Sequence, residues 1–210
     1  MPGYCVVDDV VLADLIDGLP RLDLGAGTVI HREELHDVSL LLVVDGLVVL
    51  RTPMSGSARR TITCHASTST LILPPSDEEV LVALIDSSIV AISPLVRDRL
   101  LRSPEAARLL VDGLAEALRQ KQAAIASLSR LHHVDRVREK LLELAREHGR
   151  VGRDGIRLDF PLTHDLLGEM TGSARETVTR ALDELQREGF VTRRGRTYSL
   201  RVEPEQLAPL

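Results

Sequence analysis

The sequence predicts an α+β protein with an N-terminal antiparallel β-domain, one long helix and a C-terminal helix-turn-helix that is followed by a β-hairpin. Three observations predict this order. Residues 20–93 contain short apolar runs separated by frequent turns, which is typical of a sandwich or barrel. Residues 104–131 repeat one stripe at spacings of three and four, which indicates a long helix. Residues 163–200 contain two short amphipathic helices joined by a glycine turn, then two strands around an arginine-rich turn.

The composition is that of a globular chain with an aliphatic core. Of the 210 residues, 44% are hydrophobic and 27% charged, which excludes a disordered or collagen-like protein and favours one or two domains. With two Phe, two Tyr and no Trp, the chain has too few rings to stack the bases of single-stranded nucleic acid. The net charge of −5 does not by itself indicate a nucleic-acid binder. However, the net negative charge arises from residues 1–133, which contain 12 basic and 17 acidic residues. Residues 134–210 contain 14 of each and have no net charge.

Cysteine usage and hydropathy limit the class of protein further. Cys5 and Cys64 are too few for a disulfide framework or for the four thiolates of an iron–sulfur cluster. No apolar stretch reaches the roughly 18 residues of a membrane span, and the N-terminus lacks the pattern of a signal peptide. We therefore expect a cytoplasmic protein with no membrane contact.

The β-domain is predicted from successive short apolar runs. The predicted strands are Thr28–Ile30, Val38–Val44, Leu47–Arg51, Thr61–Ser67, Thr70–Leu73, Val80–Ile85 and Ser88–Ile92. Asp45-Gly46 lies between the second and third runs and predicts a β-hairpin. Gly25-Ala26-Gly27 is interpreted as a turn, because a dinucleotide-binding loop needs a third glycine and a strand–helix context.

The long helix has a favourable start. Ser103 is the expected N-cap and Pro104 the first helical residue, and a helix to Leu131 would be about 40 Å long. The predicted seam is Ala107, Leu110, Leu114, Ala117, Lys121, Ala124, Leu128 and Leu131. Such a stripe packs either on the β-domain of its own chain or on a second copy in a parallel dimer, and we favour the dimer. Lys121 is a polar interruption that would set the register or meet a ligand.

A hinge and another amphipathic helix follow. Residues 132–133 mark the hinge, and Asp135 is the expected cap of a helix over Arg136–His148. Gly149 is the expected stop, and Ile156–Phe160 is a predicted short strand.

Residues 163–188 carry the most informative pattern. Thr163 is a good N-cap for a helix that runs to about Met170, and Thr171-Gly172-Ser173 is a tight turn in which glycine can take a positive φ. The second helix is predicted over Ala174–Arg187. Its apolar stripe is Val178, Ala181, Leu182 and Leu185.

The opposite face of this second helix is charged near its N-terminus. Arg175, Glu176 and Arg180 lie at i, i+1 and i+5, so all three can reach one major groove. Arginine suits guanine O6 and N7, and glutamate can accept from cytosine N4. The alternative is a solvated charged face, which the preceding helix, the glycine turn and the later hairpin disfavour.

The later hairpin is predicted to be a wing with arginines at its tip. Arg193, Arg194 and Arg196 could contact phosphates, although hairpin tips are often only solvated. The full predicted DNA-binding set is Arg175, Glu176, Arg180, Thr163, Ser173, Thr177, Thr179, Arg194 and Arg196.

The run Ser173-Ala174-Arg175-Glu176-Thr177-Val178-Thr179-Arg180 closely resembles the start of the recognition helix in the CRP/FNR family of bacterial transcription regulators. The order of the three parts resembles that family over nearly the whole chain. The resemblance implies a β-roll sensor (jelly-roll, cyclic-nucleotide-binding-like), a dimerisation helix and a winged helix-turn-helix. These would occupy residues 1–103, 104–133 and 134–210.

The same resemblance implies the function. It implies a homodimer that pairs through helix 104–131 and reads an inverted repeat of TGTGA-like half-sites in double-stranded DNA. In the family, the equivalents of Arg175, Glu176 and Arg180 read these half-sites. RNA polymerase and a small-molecule effector are further candidate partners.

The β-domain departs from the pattern of the family's cyclic-AMP-binding members. Those members carry Gly-Glu and Arg-Ser near the phosphate, where this chain has Leu73–Glu79 with three acids and no arginine. Their Thr-Ser pair on the long helix aligns with Lys121 and Gln122. We therefore expect no cyclic-AMP response. The effector is unknown: a small molecule, haem and no effector at all remain open, and an iron–sulfur cluster is excluded by the cysteine count.

A metal-binding enzyme of the cupin type is the alternative from another class. The local candidate is His31-Arg32-Glu33-Glu34-Leu35-His36, but histidines five apart share no helix face and point to opposite sides of a strand. No Gly-x-Ser-x-Gly elbow of a hydrolase occurs. We therefore expect no enzymatic activity. An interaction protein without DNA binding is disfavoured, because Arg175 and Arg180 are both present.

Overall fold

The computed structural model describes residues 16–54, 60–128, 132–152, 155–195 and 197–202. The chain divides into two compact units. The β-unit comprises residues 3–55 and 62–122, and the C-terminal unit comprises residues 1–2, 56–61 and 123–210. Among the described residues, no helix combines the length and the apolar character that a membrane crossing requires.

The β-unit contains eight described strands and the start of the long helix. The strands are β1 (Arg21–Leu24), β2 (Val29–His31), β3 (Leu40–Asp45), β4 (Leu47–Pro53), β5 (Arg60–Ser67), β6 (Thr70–Ile72), β7 (Val80–Ala83) and β8 (Ser87–Ile92). A short helix α1 (Pro94–Leu100) precedes the long helix α2 (Pro104–Leu128). The predicted strands are confirmed with small shifts in their ends. Strand β1 and the break between α1 and α2 were not predicted from the sequence.

Two antiparallel sheets, in the orders β1-β8-β3-β6 and β2-β7-β4-β5, enclose the apolar core. Strand β3 is buried on both faces, which explains its nearly continuous apolar sequence. Leu41 and Val43 lie in the core cluster shared by the two sheets, whereas Leu40 and Leu42 belong to a second cluster that includes Leu110 of α2. This alternation follows from the two-residue period of a strand.

The hairpin predicted at Asp45-Gly46 is wrong, although the turn is present. Strand β3 pairs with β6 and β8, whereas β4 pairs with β7, so the two strands belong to different sheets. Gly46 has a φ of +101°, and the backbone N–H of Leu47 donates to Ser87 Oγ at 3.1 Å. The turn therefore transfers the chain from one sheet to the other. A two-residue turn signal reports only the reversal, because pairing depends on partners far along the chain.

Helix α2 begins as the sequence predicts, but its outward face differs from the predicted seam. The backbone N–H of Ala106 donates to Ser103 Oγ at 3.4 Å, which confirms Ser103 as the cap. Leu110, a predicted seam residue, is buried against the sheet. Gly113 lies directly over Leu71, because a Cβ added there would be 2.7 Å from Leu71 Cδ1.

The exposed apolar residues of α2 form a stripe that is rotated from the predicted one. They are Val111 at 62% exposure, Leu114 at 38%, Leu118 at 58% and Ile125 at 70%. Leu114 and Lys121 belong to both stripes, but Val111 and Leu118 replace Leu110 and Ala117. The spacing remains that of a heptad. Leu131 lies outside the described residues, and the side chains of Ala124 and Leu128 lie outside the described part.

The C-terminal unit contains three helices and a four-stranded antiparallel sheet in the described residues. They are α3 (His133–His148), β9 (Gly149–Gly152), β10 (Gly155–Leu158), α4 (His164–Thr171), α5 (Arg175–Arg187), β11 (Val191–Arg194) and β12 (Thr197–Leu200), and the sheet order is β11-β12-β10-β9. Helix α3 begins at His133 with His132 in the N-cap position, so the cap predicted at Asp135 is wrong. Asp135 instead lies in the first turn, where a carboxylate also interacts favourably with the helix dipole.

The end of α3 also differs from the prediction. Gly149 ends the helix as expected, but it then opens strand β9, which pairs with β10. A Cβ at Gly149 would lie 2.2 Å from the Ala145 carbonyl oxygen, so only glycine fits at this corner. The strand predicted over Ile156–Phe160 is shorter and ends at Leu158. A glycine after a helical stripe predicts only the end of the helix, whereas the strand that follows depends on its pairing with β10.

Candidate nucleic-acid interface

The first helix of the helix-turn-helix is held by its predicted cap. Thr163 Oγ1 accepts the backbone N–H of Leu166 at 3.1 Å and so satisfies one donor of the first turn of α4. Leu166 and Leu167 are buried. The cap fixes the point at which the chain enters α4, and therefore the direction of the residues that follow Thr163.

The turn between α4 and α5 is tight, and two glycines make it so. Gly172 has a φ of +62°, which confirms the left-handed glycine that the sequence predicts. Gly168 is a second requirement that the sequence analysis missed. A Cβ at Gly168 would lie 2.7 Å from the Ser173 carbonyl oxygen. Ser173 is held in place because its backbone N–H donates to the Gly168 carbonyl at 2.9 Å. A glycine four residues before a turn glycine was the available signal.

Helix α5 presents a polar face to solvent. Its buried stripe is Val178, Ala181, Leu182 and Leu185, as predicted, and it packs against α3 and α4. Arg175, Glu176 and Arg180 are exposed. The structure therefore brings the three predicted base-reading residues together on the first two turns of one exposed helix face.

Arg175 has an acidic neighbour on the preceding helix. Its Nη1 atom lies 3.6 Å from Asp165 Oδ2, and about two-thirds of each side chain is exposed. An ion pair with this exposure contributes little free energy, on the order of 0–1 kcal/mol. Arg175 can therefore exchange this partner for another acceptor at small cost.

The hydroxyl-bearing residues of the predicted set differ from one another in exposure and in hydrogen-bond partners. Ser173 is only 6% exposed, and its Oγ lies 3.4 Å from both the Thr171 carbonyl and Arg136 Nη2. Its side chain therefore supports the turn rather than facing outward. Thr179 Oγ1 donates to the Arg175 carbonyl at 2.9 Å. Thr163 is exposed and Thr177 half-buried.

The wing is present as the β11–β12 hairpin. Arg194 ends β11, but its side chain lies outside the described part of the structure, and so does the whole of Arg196. Arg193 is described and exposed, and its Nε donates to the Gly195 carbonyl at 2.8 Å. The wing predictions for Arg194 and Arg196 stay predictions.

His164 connects these parts and was missed by the sequence analysis. Its Nδ1 lies 2.8 Å from Thr179 Oγ1 on α5, and its Nε2 lies 3.3 Å from Arg193 Nη1 on the wing. Burial lowers the pKa of His164, and the nearby charges of Arg193 and Arg175 lower that pKa further. The available signal was a histidine directly after a helix cap, at the start of the helix that precedes α5.

The β-unit contains a polar cluster in the segment where the sequence departs from the cyclic-AMP pattern. Glu79 Oε1 accepts from Thr63 Oγ1 at 2.9 Å, and its Oε2 accepts from the N–H and Oγ of Ser76, both at 3.1 Å. Burial raises the pKa of Glu79, but the hydrogen bonds from Ser76 and Thr63 and the charge of Lys121 together hold the pKa below its usual value. The cluster therefore stabilises an ionised carboxylate.

The candidate metal motif, the cysteines and the glycine turn of the sequence analysis lie in or around the β-unit as follows. Glu34 Oε1 accepts the backbone N–H of His31 at 2.8 Å, so this glutamate of the candidate metal motif closes a local turn. Cys64 is a buried free thiol in β5, and Cys5 lies outside the described residues. Gly27 has a φ of +87°, in agreement with the predicted turn.

Comparisons with known proteins agree with this geometry. Residues 135–210 match the family model of the Crp-like helix-turn-helix domain. The global nitrogen regulator of Synechocystis sp. is 37% identical over 94 residues, which are 45% of this chain and 41% of that protein. The CRP-like cAMP-activated global transcriptional regulator of Mycobacterium tuberculosis is 30% identical over 94 residues, which are 45% of this chain and 42% of that protein. These matches span less than half the length of those relatives.

Solved structures extend the similarity in fold to most of the chain. A CooA mutant from Carboxydothermus hydrogenoformans has a TM-score of 0.74 at 17% identity, over 90% of this chain and 86% of that chain. FixK2 from Bradyrhizobium japonicum has a TM-score of 0.73 at 24% identity, over 90% of this chain and 95% of that chain.

The two antiparallel sheets, the long helix and the winged helix-turn-helix define a β-roll protein with a C-terminal winged helix-turn-helix domain. Residues 135–210 form a Crp-like helix-turn-helix domain, and the fold of most of the chain is similar to that of the solved structures named above.

Proposed function

We propose that the protein is a homodimeric, sequence-specific DNA-binding transcription regulator. The observation that carries the proposal is the exposed face of α5, where Arg175, Glu176 and Arg180 stand on the first two turns of a helix whose other face is buried. Thr163 caps α4, and the turn at Gly172 determines where α5 begins. The charged first turns of α5 therefore have a fixed position relative to α4. The relatives named above, one called a global nitrogen regulator and the other a global transcriptional regulator, support the same function.

The chemistry of α5 suits the major groove. Each arginine can donate two parallel hydrogen bonds to guanine O6 and N7, and Glu176 can accept from cytosine N4. The N-terminal part of the second helix is the part that enters the groove in this motif. The proposed operator is an inverted repeat of TGTGA-like half-sites about 34 Å apart, one turn of DNA.

The exposed stripe of α2 supports the homodimer. Val111, Leu114 and Leu118 are large apolar side chains that the β-unit of the same chain leaves exposed. Ile125 continues the stripe one heptad after Leu118, and Lys121 occupies the intervening seam position. Pairing two such stripes would bury apolar surface at about 25 cal/mol per Å² and would give the dimer two copies of α5, one for each half-site.

The effector remains a separate question. A cyclic-AMP response is not part of the proposal, because the ionised Glu79 and its neighbours Asp77 and Glu78 would repel a phosphate. RNA polymerase is a candidate partner of a regulator of this kind.

The test is fluorescence anisotropy with a labelled TGTGA inverted-repeat duplex and a scrambled duplex of equal length. Salt is held fixed near the physiological value, because phosphate contacts dominate the raw affinity. We expect tighter binding to the inverted repeat. Equal affinity for the two duplexes would contradict the proposed operator, and binding to neither would contradict DNA binding by the protein as purified.

A further inference from the structure

One imidazole joins three segments of the C-terminal unit. His164 is the first residue of α4, Thr179 lies on α5, and Arg193 lies on strand β11 of the wing. The Nδ1–Oγ1 distance to Thr179 is 2.8 Å, and the Nε2–Nη1 distance to Arg193 is 3.3 Å. The two ring nitrogens of His164 therefore face the recognition helix and the wing.

The identities of the partners determine where the ring proton lies. Arginine only donates hydrogen bonds, so Nε2 of His164 must be the acceptor and carry no proton. A neutral imidazole then carries its proton on Nδ1 and donates it to Thr179 Oγ1. Thr179 in turn donates its hydroxyl proton to the Arg175 carbonyl at 2.9 Å. The hydrogen bonds thus run in one direction, from the wing to the first turn of α5.

We propose that His164 is a positioning residue which, as the neutral Nδ1–H tautomer, connects the wing to the recognition helix, and that its protonation breaks this connection. The proposal rests on the proposed DNA-binding function. It adds a determinant of sequence selectivity that does not itself read a base.

The charges around His164 favour the neutral ring. Arg193 faces it from the wing and Arg175 from α5, whereas Asp183 of α5 and Asp165 of α4 oppose their effect. The balance lowers the pKa of His164, with burial as the largest cause. The ring is therefore neutral at pH 7.5, and protonation in acid would place a cation against Arg193 and remove the acceptor of its hydrogen bond.

Protonation has opposite consequences for selective and non-selective binding. An added positive charge favours contact with any DNA, because phosphate contacts do not depend on sequence. Loss of the Nε2–Arg193 contact frees the wing from α4, whereas Nδ1–H of His164 still donates to Thr179, so the wing loses its fixed position relative to the base-reading side chains of α5. The ratio of affinities for specific and scrambled duplexes should therefore fall as the pH falls. A merely electrostatic role would not lower this ratio.

The first test is nitrogen NMR of the histidine rings in the wild-type protein without DNA at pH 7.5. The His164 signals are assigned by their loss in the His164→Asn variant. We expect a protonated Nδ1 and an unprotonated Nε2. A charged ring, or a ring with its proton on Nε2, would overturn the proposal. This test does not depend on DNA binding, so its failure is distinct from a failure of the proposed function.

The second test is the affinity ratio of the specific and scrambled duplexes between pH 7.5 and pH 5.0. For the wild type we expect a decrease of about threefold to tenfold, which corresponds to the loss of one hydrogen-bonded connection. The His164→Asn variant should have a ratio that changes by less than about twofold over this range, because its side chain does not titrate. His36→Asn, an exposed histidine of the β-unit, is the matched control and should behave like the wild type. The full pH dependence in His164→Asn, or a wild-type ratio that stays flat over a pH range in which nitrogen NMR shows that His164 becomes protonated, would overturn the proposal.

Discussion

Gly46 and Ser87 touch at the point where the chain passes between the two sheets of the β-unit. A Cβ at position 46 would lie 2.2 Å from Ser87 Oγ and 2.6 Å from Ser87 Cα, and Gly46 has a φ of +101°. The second distance involves backbone, which cannot move as a side chain can. Glycine is therefore required here by its conformation and by the close approach together.

This contact predicts a large loss of stability for Gly46→Ala. We expect about 2–4 kcal/mol, because the alanine has both an unfavourable φ and a clash with Ser87. The measurement is denaturant unfolding of the variant and the wild type. Gly27→Ala is the matched control: it also has a positive φ, of +87°, but its Cβ would meet nothing within 4 Å. Equal losses in the two variants would show that the contact with Ser87 does not matter.

Arg180→Ala should weaken specific DNA binding by about 1–3 kcal/mol and relax the preference at one base pair. The reason is the loss of a forked donor that reads guanine. Anisotropy with the inverted repeat and with single-base variants of it measures both effects. Arg187→Ala, exposed in the last turn of the same helix, removes the same charge away from the proposed groove. A base-reading role for Arg180 is wrong if its variant loses the same affinity on specific and scrambled DNA.

Leu118→Glu should convert the proposed dimer into monomers. A carboxylate in the middle of the apolar stripe would have to be desolvated, at a cost of about 2 kcal/mol or more per subunit. Sedimentation equilibrium measures the change in mass. Gln122→Glu places the same charge beside the stripe and should leave the dimer intact. Dimers that persist in Leu118→Glu at low concentration would place the interface elsewhere.

Glu79 should make the stability of the β-unit depend on acid pH. Its pKa is lowered in the folded state from 4.5, so its contribution is fully present above about pH 4.5 and is lost as the pH falls through the folded-state pKa. Denaturant midpoints between pH 3 and pH 6 would reveal a smaller loss in Glu79→Gln than in the wild type. Glu78→Gln, at the exposed neighbouring position, is the control. Identical pH profiles for Glu79→Gln and the wild type would refute this role.

Cyclic AMP should not bind at micromolar concentrations. The ionised carboxylate of Glu79 is fully engaged with Thr63 and Ser76, and further acids lie beside it. Isothermal titration with cyclic AMP would give no binding heat above dilution. A micromolar dissociation constant would contradict this prediction, while leaving the DNA-binding proposal to its own test.

The parts of the protein that depend on local signals can be predicted from the amino-acid sequence alone. Thr163 predicts the cap of α4, Gly172 predicts the turn, and the stripe from Val178 to Leu185 predicts the buried face of α5. Each of these signals acts within about one or two helical turns, so its physical cause is contained in the neighbouring residues. The candidate base-reading residues Arg175, Glu176 and Arg180 follow from the same local pattern.

Features that depend on residues far apart in the chain are visible only in the folded structure. Asp45-Gly46 indicates a reversal, but the pairing of β3 with β8 sends β3 and β4 into different sheets. A heptad stripe does not reveal which side faces the sheet, and the contact of Gly113 with Leu71 rotates the outward face to Val111 and Leu118. His164 and Arg193 are 29 residues apart, and only the folded unit brings an acceptor nitrogen to the wing arginine. In each case the deciding free energy comes from packing between distant segments, which local periodicity does not encode.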